Sequence, residues 1–200
     1  MLFLLVLTEL FTFKMYLFTK QGRFLNKYMP KRIAVLVTHN FDDQEYFEPV
    51  EAFRAASHSI CNIDHEAGKV IYGRKHTASV TIDESIDQIC VDDFDALLIP
   101  GGESPLTFTS DAVVLKLIQE FNAANKTIFS ICDASLLLGA ADVLKDRIIT
   151  SIRDHAHWLQ DAGGRYYDAE LVNDNNQLIS SRAPDDLPVF IDECLEVLRS

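Results

Sequence analysis

Three nearly unbroken apolar runs constrain this chain more than any other feature. They are Ile33-Ala34-Val35-Leu36-Val37, Asp95-Ala96-Leu97-Leu98-Ile99 and Thr127-Ile128-Phe129-Ser130-Ile131. A strand with one wet face alternates apolar and polar residues, and these runs do not. They read as strands buried on both faces, which is the habit of parallel sheets. Between them the apolar residues fall at helical spacing, as in Tyr46, Phe47, Val50 and Phe53, and in Val114, Leu117, Ile118 and Phe121. Strands alternating with amphipathic helices predict a mainly parallel sheet covered by helices on both sides. A chain of 200 residues is long enough to give one domain a sizeable core.

The remaining elements follow from shorter signals. Asp42 or Asp43 is placed to cap the first helix, and Pro49 within its early turns is expected to kink it. Ser59 to Ile63 reads as a second strand. Val70-Ile71-Tyr72 and Ala78-Ser79-Val80 read as a loosely connected hairpin. A helix is predicted from Asp111 to Ala124, another from Cys132 to about Ala141, and a third from Arg153 to Asp161 that ends at Gly163-Gly164. Ile148-Ile149-Thr150 is a short strand and Leu178-Ile179-Ser180 the last one. Pro184 opens a final helix whose apolar face carries Leu187, Phe190, Ile191, Leu195 and Leu198.

The first 29 residues do not match the rest. Met1 to Phe13 is almost entirely apolar, and the basic residues Lys14, Lys20, Arg23 and Lys27 follow it. A secretory signal places its positive charges before the apolar run, and Glu9 interrupts this one. The run is also short for a membrane span. Residues 1–29 are therefore expected to be an extension outside the domain, from a stray upstream start rather than an anchor or a poor signal. Residues 30–200 are expected to form the domain. With Glu9 counted, the extension carries +3 of a total −12, which leaves −15 on the remainder. That acidity argues against nucleic acid and against an anionic membrane surface as partners. Cys61, Cys90, Cys132 and Cys194 are widely spread, with no Cys-x-x-Cys pair. Neither a disulfide framework nor a structural zinc is expected, no cofactor is implied, and a reducing cytoplasm fits.

Ligands of an open parallel sheet sit beyond the carboxyl ends of its strands. Three turns meet that condition. Thr38 to Glu45 offers carboxylates, Asp42 and Glu45 among them. Pro100-Gly101-Gly102 offers backbone N–H groups. The third turn carries Cys132 and Asp133 at a strand-to-helix join. A thiol near a helix N-terminus is expected to lean toward thiolate. A nucleophile, backbone donors and a carboxylate on one rim suit acyl or carbonyl chemistry. Each piece also has a plainer reading: a buried cysteine, a helix cap, a tight turn. His155 and His157 follow the strand expected beside Cys132, and either reach the pocket or lie on a solvated helix face. No metal set is formed by them. No phosphate-binding glycine loop is present.

The chain from about Lys31 to Leu198 resembles the PfpI family of the class I glutamine amidotransferase-like superfamily. The matching pieces are Phe41-Asp42-Asp43-Gln44-Glu45, Phe94 to Gly102, Ser130-Ile131-Cys132, and Ser181-Arg182-Ala183-Pro184-Asp185-Asp186-Leu187-Pro188. The resemblance implies a flavodoxin-like three-layer α/β/α sandwich with Cys132 at a nucleophile elbow. It implies that Glu45 approaches the thiol, that Gly102 and Asp133 supply backbone donors to an oxyanion, and that the protein forms homodimers or larger assemblies. The departures are specific. The peptidase-like branch carries His directly after the cysteine, where this chain has Asp133. An acidic residue after Pro-Gly-Gly is replaced by Leu106. The usual Thr-Ser-Tyr-Pro run reads Thr150-Ser151-Ile152-Arg153.

Without that His, peptide hydrolysis lacks its base. Two classes of function then compete. One is a cysteine-dependent hydrolase or lyase, deglycase- or glyoxalase-like, in which Cys132 attacks a reactive dicarbonyl or a glycated adduct. Glu45 would shuttle protons, with Asp133 beside the thiol. The other is a stress protein that senses oxidation at Cys132 or only binds.

Overall fold

The computed structural model describes residues 29–76 and 79–200. The expectations placed on residues 1–28, and on Ala78, lie outside the described residues. β1 (Arg32–Leu36) leads through a tight turn to α1 (Asp43–Ala55) and β2 (Ser59–Asp64). A hairpin of β3 (Val70–Tyr72) and β4 (Ser79–Thr81) precedes a short β5 (Glu84–Ser85) and then β6 (Ala96–Ile99). Next come α2 (Ser104–Thr107), α3 (Ala112–Ala123), β7 (Thr127–Ile131) and α4 (Ala134–Ala140). The chain finishes with β8 (Ile148–Ile149), α5 (Ala156–Asp161), β9 (Arg165–Tyr166), β10 (Leu171–Asp174), β11 (Leu178–Ser181) and α6 (Leu187–Leu198).

The central sheet has the strand order β10-β11-β7-β6-β1-β2-β5 and is parallel except at its β10–β11 edge. Its core strands divide their side chains between two apolar clusters. Ala34, Leu36, Leu97, Ile99 and Ile128 pack on one face with α3 and α4. Ile33, Val35, Leu98, Phe129 and Ile131 pack on the other with α1 and α6. This division is why the runs are continuous: at period two, a strand covered on both sides needs an apolar residue at every position. The result is the covered, mainly parallel sheet expected from the alternation, in the flavodoxin-like layering that the resemblance implied.

Local departures have local causes. α1 is capped by Asp42, whose carboxylate accepts the Gln44 and Glu45 amides, and it continues through Pro49 to Ala55. The expected Arg153–Asp161 helix opens as a 3-10 turn, Arg153–His155, before α5. β8 stands outside the main sheet, paired with β9. β10 was not expected at all. It returns antiparallel to β11 around Asn175-Asn176, both at positive φ (55° and 60°). Asparagine tolerates that conformation, and the tight hairpin needs it at both central positions.

α3 begins where Asp111 accepts hydrogen bonds from the Val113 and Val114 amides at 3.0 and 3.3 Å. Asp111→Ala is expected to cost about 1 kcal/mol. In a chain of this size that lowers Tm by about 2–4 °C. A melt unchanged within error would mean that water caps the helix equally well.

Candidate active site

β1, β6 and β7 are neighbours in the sheet, so the turns that leave their carboxyl ends share one rim. Cys132 leaves β7 with φ at 52°, in the left-handed region that a side chain ordinarily avoids. Such strain survives only where the surroundings over-determine it. Here the Cys132 amide donates to the Ser181 carbonyl at 3.0 Å. Its own carbonyl accepts from the Ser135 and Ser151 hydroxyls, each at 2.9 Å. Ser135 and Ser151 are both buried. The turn is held from three sides and presents the thiol at the mouth of the sheet.

Glu45 sits in the first turn of α1 and is only 1% exposed. Its Oε2 accepts the Gly101 amide at 2.9 Å. Burial raises its carboxyl to about 8, Asp42 and Asp133 add to the rise, and the Gly101 amide and Arg74 oppose it. Glu45 therefore holds its proton at neutral pH. Gly101 leaves the room in which Glu45 and Cys132 meet. A Cβ there would strike the Glu45 carboxyl and lie 3.0 Å from Cys132 Cβ and 2.9 Å from the Ile131 carbonyl.

Asp133 follows the thiol, and its carboxylate charge weighs on it. The same carboxylate accepts the Gly102 amide at 3.2 Å on Oδ2. Both glycine amides on the rim thus have partners, Gly101 with Glu45 and Gly102 with Asp133. Burial pushes the Cys132 thiol up; Glu45, once it ionises at alkaline pH, and the Asp133 carboxylate push it further. The expected lean toward thiolate is reversed. α4 has seven residues and begins at Ala134, and its short dipole is outweighed by desolvation and the adjacent carboxylate.

The two histidines part company. His157 is 88% exposed and pairs with Asp161 on its own helix. His155 is turned inward: its Nε2 lies 3.5 Å from Asp133 Oδ1 and its Nδ1 3.0 Å from the Ser151 hydroxyl. Burial lowers its pKa, against the pull of Asp133 and Asp154. Arg74 reaches over from the turn after β3 to pair with Asp42. Among the described residues no three His, Cys, Asp or Glu side chains gather as metal ligands, and no helix is long and apolar enough to cross a membrane.

Residues 31–197 match the DJ-1/PfpI family model. The chain belongs to the DJ-1/PfpI family. It is 43% identical over 170 residues to protein/nucleic acid deglycase 2 of Escherichia coli, covering 85% of this chain and 99% of that one. General stress protein 18 of Bacillus subtilis is 41% identical over 170 residues, with the same coverage of 85% and 99%. Among solved structures, a two-domain protein from Anabaena variabilis with DJ-1/ThiJ/PfpI-like and ferritin-like domains superposes with a TM-score of 0.81 at 26% identity. That likeness covers 84% of this chain and 48% of the other.

In this DJ-1/PfpI chain the rim gathers Cys132, Glu45, Asp133, Gly101 and Gly102. Asp42 stands at its edge as a helix cap and Arg74 partner, and His155 reaches it through Asp133. Ser135 and Ser151 were missed. Ser135 had a local signal, since a serine in the first turn of a helix bonds back to the carbonyl three residues earlier. Ser151, 19 residues from Cys132, stood only in the Thr150-Ser151-Ile152-Arg153 run compared with the family, and Arg74, 32 residues from Asp42, had no signal.

Proposed function

We propose that this DJ-1/PfpI chain is a cytoplasmic stress-response enzyme that uses Cys132 on reactive dicarbonyls or on their adducts with amines and thiols. One observation carries the reading. A strained, half-buried thiol lies beside a Glu45 carboxyl that holds its proton at neutral pH. That pairing suits addition to a carbonyl. The sulfur bonds to the carbonyl carbon, the π pair moves to oxygen, and Glu45 supplies a proton to that oxygen. The Asp133 and Gly102 amides would hold the oxyanion once the Asp133 carboxylate turns away. Similarity to a relative named a protein/nucleic acid deglycase, over nearly all of its length, supports the same chemistry. The net charge of −12 favours small carbonyls and protein adducts over nucleic acid. Homodimers or larger assemblies are part of the proposal.

The redox reading draws less support. Sensor thiols are acidic and exposed, and Cys132 is pushed up by burial. Peptide hydrolysis is disfavoured because Asp133 stands where the peptidase-like branch carries its His.

The test is turnover of methylglyoxal and of methylglyoxal adducts of N-acetylated amino acids by the purified protein. Cys132→Ser is expected to lose about a thousandfold or more, to background. Turnover that survives Cys132→Ser, or wild-type protein that turns over none of these compounds, would overturn the reading.

A further inference from the structure

Cys132 rests as a thiol, so its proton must have somewhere to go. Glu45 already holds one. The candidate acceptor is His155. Its Nδ1 lies 3.0 Å from the Ser151 hydroxyl, which is also within hydrogen-bond reach of the Cys132 carbonyl and the Ser135 hydroxyl. With Ser151 donating to that carbonyl, Nδ1 carries the imidazole hydrogen and Nε2 keeps its lone pair. Nε2 lies 3.5 Å from Asp133 Oδ1. Asp133 follows Cys132 in the chain, and the other oxygen of its carboxylate accepts the Gly102 amide at 3.2 Å.

We propose that His155 takes the Cys132 proton through Asp133, a thiol–carboxylate–imidazole relay contained in one chain. The S–H proton passes to the carboxylate, which turns about its Cβ–Cγ bond and hands that same proton to Nε2. Thiol and imidazole become thiolate and imidazolium, and Asp133 ends unchanged. On return the imidazolium gives the proton back by the same path to the leaving amine or thiol. Closing the gap to His155 draws the carboxylate away from Gly102, which frees that amide for the oxyanion. The charged groups facing the imidazole are Asp133 and Asp154, and both favour the imidazolium. The Ser151 hydroxyl anchors Nδ1 and orients the ring. His155 acts through Asp133 and is a positioning residue.

The proposal rests on Cys132 as the nucleophile, so its test is read first without a carbonyl substrate. The rate of Cys132 alkylation by iodoacetamide is followed by mass spectrometry against pH. Variants are His155→Asn, which can still donate to Ser151 but has no Nε2, His155→Gln, and His157→Ala as control. Both His155 variants should slow alkylation at neutral pH on the order of tenfold and erase the inflection in the imidazole range, and free imidazole should restore part of the rate. His157→Ala should match wild type. In turnover, His155→Asn should lower kcat about a hundredfold with KM within about twofold. A His155→Asn profile like the wild type's overturns the relay. If the variants do not fold, the imidazole titration of wild-type His155 is read by NMR before and after Cys132 is alkylated. A shifted titration supports the relay and an unchanged titration overturns it. An altered alkylation profile without dicarbonyl turnover would leave the relay standing and sink the carbonyl reading. Normal turnover with an unaltered profile would do the reverse.

Discussion

Glu45→Gln should remove most of the loss of stability that the wild-type protein suffers between about pH 4.5 and pH 8. Burial raises the Glu45 carboxyl from 4.5 to about 8, so the folded state binds a proton that the unfolded state has already released. The stabilisation from that bound proton is complete below the unfolded value. It is lost as pH rises through the folded one. Forcing the buried carboxyl to ionise costs on the order of 5 kcal/mol. Gln keeps an oxygen to accept the Gly101 amide and has nothing to ionise. Urea unfolding at about pH 5 and about pH 9 should therefore show wild type and variant close together at the acid end, with the variant ahead by several kcal/mol at the alkaline end. Equal slopes against pH would mean that Glu45 is ionised and paired in the folded protein, which would also remove the proton from the proposed carbonyl chemistry.

Gly102→Ala should be the most damaging small substitution on the rim. Gly102 has φ at 84°, and a Cβ there would lie 2.6 Å from the Asp42 amide nitrogen, 2.7 Å from the Asn40 carbonyl oxygen and 2.9 Å from the Phe41 carbonyl carbon. All three are backbone atoms. They belong to the turn after β1, which is tied to the Gly102 turn by the Asp42 amide on the Gly101 carbonyl and the Glu103 amide on the Asn40 carbonyl, each at 3.0 Å. Relief requires separating two turns that together place Glu45 and the Gly102 amide. The expected cost is on the order of 3 kcal/mol or more, with Cys132-dependent turnover lost beyond what stability explains. Gly68 is the natural control. It has φ at 81°, but nothing lies within 4 Å of its added Cβ. Gly68→Ala should cost only about 1 kcal/mol, the conformational part alone. Equal costs at the two sites, measured by urea unfolding, would show that the turns do not press on each other as described.

What the sequence by itself determined is whatever depends on near neighbours. An apolar residue at every position of Ile33–Val37 demands cover on both faces, and two clusters supply it. Asp42 and Asp111 cap helices because an Asx oxygen reaches amides two and three residues on. The three rim turns could be located because ligand sites of parallel sheets lie at strand ends. Asn175-Asn176 is likewise a local turn signal, and β10 pairs back on β11 across it. Tertiary structure decided the rest. The state of the Cys132 thiol is set by how much water the folded chain removes and by which carboxylates it brings near, and neither is a property of Ile131-Cys132-Asp133 alone. His155 and His157 lie two residues apart, yet one faces Asp133 and the other faces solvent. Two positions apart in a helical segment they lie on opposite sides, and packing decides which of them faces in. Ionisation and proton paths depend on distances of a few ångströms between segments far apart in the chain, and only the folded molecule sets those distances.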